Sequence, residues 1–160
     1  MKRQIAKAAV RDFLGGRYCG EVVIDHVGRA VIPGFDPSLA RIGTGFVGGI
    51  ANGGGVCGTV AGAVVIIGLL VGRCGHGEDA RRCLRLTRKY RERFTRELGS
   101  LDCRDLAKRT CGFINHRACA RLVAKGIILL MELLVEEGLW SAPTSDGVPQ
   151  AETSAAAPGE

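Results

Sequence analysis

No two of the seven cysteines stand closer than eight residues apart, so the chain has no CxxC, no CxxCH and no ferredoxin-type run. That excludes a zinc ribbon, covalent haem attachment and a local dithiol motif. Aromatic residues are scarce, with one tryptophan, two tyrosines and five phenylalanines, which excludes a core built on large rings. Acidic residues are missing from Pro37 to Gly77. Inside that stretch Gly43-Thr44-Gly45-Phe46-Val47-Gly48 spells GxGxxG, but a dinucleotide site needs a preceding strand and an acid about 20 residues later. Neither is present, and the glycines read instead as a loop lying flat on neighbouring helices near Cys57. Lys2, Arg3, Lys7, Arg11 and Asp12 interrupt the first residues, leaving no apolar run of the kind a secretory signal uses. With an odd number of cysteines, the expectation is a reducing compartment, the cytoplasm.

What is present describes one helical domain and a tail. The 160 residues carry a net charge of +6, too mild to define a partner by itself. Apolar positions recur at helical spacing from Gln4 to Leu14, ending at Gly15-Gly16, and again at Tyr18, Cys19, Val22, Val23, His26 and Val27. His26 is expected to be a hydrogen-bonded core or edge histidine rather than a ligand. Asp36-Pro37 reads as a cap and first residue of a short helix through Arg41. A further helix carries Cys83, Thr87, Tyr90, Phe94 and Leu98 on its inner side. Its many arginines, interrupted by Glu92 and Glu97, read as a solvated face, and no nucleic-acid partner is expected. Ser100 opens a helix containing Cys103. Asn115 is placed to cap a last helix whose inner stripe is Cys119, Leu122, Val123, Gly126, Ile127, Leu130, Leu133 and Leu134. The domain is expected over 1–138. The proline-, serine- and alanine-rich remainder, 139–160, reads as a disordered tail.

The chain is organised around Gly53-Gly54-Gly55-Val56-Cys57-Gly58, from which an apolar helix is expected to run to Gly72. Residues 56–72 contain no charge. A helix apolar all round belongs at the centre of a compact helical bundle, and the fold class expected is all-α around this element. The run falls just short of a bilayer span, which leaves a small membrane protein with merely structural cysteines as an alternative. Cys57 and Cys103 are both expected in first helical turns, where the helix dipole favours thiolate, whereas Cys19 and Cys119 are expected to face inward from within helices. The four could form a spatial cluster. Two of them could cycle between dithiol and disulfide, with Cys57 as the reactive thiolate and one of Cys19, Cys103 or Cys119 resolving it. Alternatively all four could hold a metal ion or an iron–sulfur cluster. Cys74, His76 and Cys83 form a weaker candidate set for a metal. The residues establish neither catalysis nor a cofactor, and they leave the redox partner and any homo-oligomer open.

The order Cys19, Cys57-Gly58-Thr59-Val60-Ala61-Gly62, Cys103-Arg104-Asp105-Leu106, Cys119 resembles the C_GCAxxG_C_C family of redox-active proteins. Phe46-Val47-Gly48-Gly49-Ile50 and the segment from Arg93-Phe94 through Gly99-Ser100-Leu101-Asp102-Cys103-Arg104 are similar to its pattern as well. Thr59 departs from the family's usual alanine, Tyr18-Cys19-Gly20 departs from Asn-Cys-Ala, and Cys74, Cys83 and Cys111 are additional. The resemblance implies a redox or electron-transfer role.

Overall fold

Helical periodicity in the sequence is realised as six α-helices and one 3-10 helix, with no strand among the described residues. The computed structural model describes residues 1–111 and 116–141, and the side chains of all of these except 109–111 and 116. Helix α1 (Lys2–Leu14) stops at Gly15, whose N–H donates to the Arg11 carbonyl at 2.9 Å. Helix α2 (Cys19–Val31) begins where the Glu21 carboxylate turns back to accept the Tyr18 N–H at 3.1 Å. Its buried face is Val22, Val23, Ile24 and Val27. His26 lies at the edge of the core as its stripe implies, with Nε2 2.9 Å from the Asp12 carboxylate.

The Asp36-Pro37 start is also realised: the Asp36 carboxylate accepts the Ser38 N–H at 2.8 Å, and a 3-10 helix runs on to Phe46, beyond the expected end at Arg41. Of the GxGxxG glycines, Gly43 serves packing. A Cβ on Gly43 would fall 2.4 Å from the Glu21 amide nitrogen, so only glycine lets this segment lie on the start of α2.

Helix α3 (Gly58–Val71) packs on α2, α4 and α6, burying Val60, Ala63, Ile66 and Ile67. It is not buried all round: Val64 and Leu69 keep 37% and 45% of their surface. The helix with the widest set of neighbours is α6 (His116–Glu136), which touches α1, α2, α3, α4 and α5 and buries Leu122, Val123, Ile127, Leu130, Met131, Leu133 and Leu134. Among the described residues no helix is long and apolar enough to cross a membrane.

Helix α4 (Arg81–Leu98) buries Leu86, Tyr90 and Phe94 and ends at Gly99, which takes the left-handed conformation at φ 87°. Its basic face is only partly a solvated one. Arg85 and Lys89 reach the Glu137 carboxylate at 3.0 and 2.6 Å, and Arg93 pairs with Glu136, forming a seam of ion pairs onto the end of α6. Helix α5 (Cys103–Cys111) is short and packs on α6. The Asn115 cap lies outside the described residues, as does the tail beyond 141. Leu139 and Trp140 turn back after Gly138, both donating to the Leu134 carbonyl, and pack against the core.

A candidate thiol site lined by four cysteines

The glycine-rich segment after the 3-10 helix positions the site. Gly48, Gly49, Ile50, Ala51 and Asn52 all have positive φ, between 48° and 78°. This left-handed turn is unusual for the three residues that carry a Cβ, Ile50 above all. It reverses the chain so that Gly53-Gly54-Gly55 runs beside the start of α5. The Cys103 N–H donates to the Gly55 carbonyl at 2.7 Å, the Arg104 N–H to that of Gly54 at 3.1 Å, and the Arg104 guanidinium to that of Gly53 at 3.0 Å. On the other side of an isolated antiparallel bridge between Val56 and Asp102, the Cys57 N–H donates to the Leu101 carbonyl at 2.8 Å. Two helix N-termini, those of α3 and α5, are thereby laced together through Cys57 and Cys103.

Cys19 also stands at a helix start, as the first residue of α2 rather than within the helix as the periodicity suggests, and Cys119 lies on α6. Cys57 sits one residue before α3, as its N-cap, and Val56 belongs to the bridge. Cys19, Cys57, Cys103 and Cys119 all line one cavity of about 90 Å³, together with Phe13, Tyr18, Thr59, Leu106 and Leu122 among others. The Cys19 sulfur fits against α3 because residue 58 is glycine: a Cβ there would lie 2.5 Å from it. Cys74 and His76 are exposed on the α3–α4 connection, away from this cavity. Among the described residues no three His, Cys, Asp or Glu side chains come together in a way that could hold a metal ion, for the four cysteines or for the set Cys74, His76 and Cys83.

Burial, rather than the helix dipole, dominates the electrostatics. Cys57 is only 6% exposed, and burial pushes its thiol above the ordinary value. The Thr59 amide, the Thr59 hydroxyl and the Val60 amide act in the opposite sense without closing a capping hydrogen bond. Cys19 is pushed up to about 12, first by burial and then by the neighbouring Cys57 sulfur. Burial also raises Cys103, with Cys57 adding to it, although Cys103 is only partly buried. The lowered thiol pKa expected at Cys57 and Cys103 is therefore corrected: removing a sulfur anion from water outweighs the favourable field of a helix end. Arg104, next to Cys103 in the chain, spends its guanidinium on the Gly53 carbonyl.

Thr59 is the residue that reasoning from cysteines alone passes over. It is 1% exposed, and its hydroxyl has no hydrogen-bond partner of ordinary geometry. The signal was in the sequence, since Thr59 is the one hydroxyl in the apolar run 56–72.

No curated protein and no solved structure was found to match the chain. Residues 17–133 match the family described as "Putative redox-active protein (C_GCAxxG_C_C)". That segment runs from the residue before Tyr18 to the buried Leu133 of α6, takes in all four cavity cysteines and covers most of the chain, so the protein belongs to the C_GCAxxG_C_C family.

Proposed function

We propose that the protein is a thiol redox protein in which Cys57 and Cys103 cycle between dithiol and disulfide. The observation that carries this reading is the Val56–Asp102 bridge, which holds the backbones of the two cysteines in fixed register while both side chains line one cavity. Cys103, the less buried of the pair, meets the partner. As a thiolate it attacks one sulfur of the partner's disulfide and releases the other as a thiolate. Cys57 then attacks the Cys103 sulfur, forming the internal disulfide and releasing the partner's second thiolate. The protein loses two electrons and two protons, and the partner gains them as a dithiol; the reverse sequence oxidises a dithiol partner. Cys19 and Cys119, lining the same cavity, are second-rank members of the relay. The partner's chemical class is accordingly a dithiol or disulfide, and a reducing cytoplasm suits a chain with seven cysteines.

The test is equilibration of the full chain in graded thiol–disulfide buffers, followed by acid quenching and peptide mapping. A Cys57–Cys103 disulfide that forms and disappears with the buffer potential is the expected result. If Cys57 stays reduced while other cysteines oxidise, this reading is wrong.

A further inference from the structure

Thr59 lines the four-cysteine cavity, and its placement is enforced. The Thr59 methyl lies against Gly126 of α6 so closely that a Cβ on Gly126 would come within 2.3 Å of it. Gly126 is itself held by the buried Tyr90 hydroxyl, which donates to its carbonyl at 3.2 Å. With the methyl fixed against α6, the hydroxyl is buried and has no partner of ordinary geometry, two residues beyond Cys57. A buried hydroxyl without a partner of ordinary geometry is costly and calls for an explanation.

We infer that the Thr59 hydroxyl is a positioning group that donates its hydrogen to the Cys57 sulfur when that sulfur becomes an anion. The thiol proton leaves to the buffer, and the hydroxyl donor takes its place at the sulfur. The buried Tyr90 hydroxyl is committed to Gly126, and the Thr59 and Val60 amides lean toward the sulfur without closing a capping bond. A hydrogen bond to a charged sulfur in a site from which water is excluded is stronger than one between neutral groups.

This rests on the reading of Cys57 as a redox thiol, yet the two fail separately, because the experiment uses fully reduced protein and reads acidity rather than pairing. The pH profile of alkylation by iodoacetamide is followed for each cysteine by mass spectrometry in wild type, Thr59→Val, Thr59→Ala and Thr59→Ser. The midpoint reports acidity independently of access. Thr59→Val and Thr59→Ala should move the Cys57 midpoint upward, so that labelling below the midpoint falls about tenfold, while Thr59→Ser stays within about threefold of wild type. The Cys103 midpoint should not move. The Ser and Ala pair decides the matter even if the Val variant does not fold. A Cys57 midpoint unchanged in the Ala variant, or a Cys103 shift as large as that of Cys57, overturns the inference.

Discussion

The Cys57 N–H donates to the Leu101 carbonyl and the Cys103 N–H to the Gly55 carbonyl, so the two cysteines flank the Val56–Asp102 bridge from opposite sides. At both cysteines this tie between the start of α3 and the start of α5 is made by backbone groups, with the Arg104 guanidinium adding one bond to the Gly53 carbonyl. Side-chain substitution at either cysteine should therefore leave the register of the pair intact. The chemistry of the two sulfurs can be separated from the geometry that presents them.

Burial sets the first prediction, the order of labelling. Cys74 is exposed, Cys103 partly buried and Cys57 almost fully buried. Alkylating the reduced native protein near neutral pH should modify Cys74 first and Cys103 second, with Cys57 well behind. Peptide mapping over time checks this, and labelling of Cys57 ahead of Cys103 would show that the cavity is more open than its packing indicates.

Alkaline pH gives the second. Cys19 ionises near its ordinary value when unfolded, roughly 8.5, but only at about 12 when folded. Above the unfolded value the unfolded chain holds fewer protons than the native one, so stability is fully present below that value and falls as pH rises toward the folded one. The loss between these limits is on the order of a few kcal/mol. In urea melts from pH 8 to pH 11, Cys19→Ala should show a shallower decline than wild type. Parallel declines would mean that another group is responsible.

The helices were legible in the sequence because their signals are local. The stripe ending at Leu14, the Asp36-Pro37 cap and the Gly99 stop each act within a turn of the residues that declare them. The convergence of Cys19, Cys57, Cys103 and Cys119 was legible only as a shared inward direction. What could not be read was the bridge pairing Val56 with Asp102, which depends on five successive left-handed residues that no hydrophobic period encodes. Nor could the sign of the thiol shifts be read. The helix-start positions of Cys57 and Cys103 are visible in the chain, whereas their burial is a product of tertiary packing.

The left-handed turn supplies the third prediction. Ile50 is β-branched, has φ 63° and is 58% exposed, so it carries steric cost with little burial to offset it. Ile50→Gly should stabilise the protein by up to about 1 kcal/mol, since glycine adopts this conformation without strain. A loss of stability in urea melts would show that the isoleucine side chain makes a contribution larger than the strain.

Two glycines of α3 give the fourth. At Gly58 a methyl would lie 2.5 Å from the Cys19 sulfur and 3.0 Å from the Phe46 carbonyl oxygen, whereas at Gly68 it would meet nothing within 4 Å. Gly58→Ala should cost about 1–3 kcal/mol and change how readily Cys19 is alkylated. Gly68→Ala should gain about 0.5–1 kcal/mol through helix propensity and leave the thiols untouched. Equal effects at the two positions would mean that the close approach of α2 to α3 is not what glycine provides.

The fifth concerns the two faces of α3, whose sequence hides the difference because both are apolar. Ile66 is fully buried, while Val64, two residues earlier on the same helix, is 37% exposed. An aspartate at position 66 would place an unpaired charge in the core, costing about 3 kcal/mol or more, a large share of the stability of a domain this size. At position 64 the carboxylate can reach water, and the cost should stay within about 1 kcal/mol. Ile66→Asp is therefore expected to unfold the chain or lower its urea midpoint severely, and Val64→Asp to fold and retain the labelling pattern of the four cavity cysteines. Circular dichroism and urea melts on the two variants make the comparison. If Val64→Asp is as damaging as Ile66→Asp, the outer face of α3 is covered in the native protein.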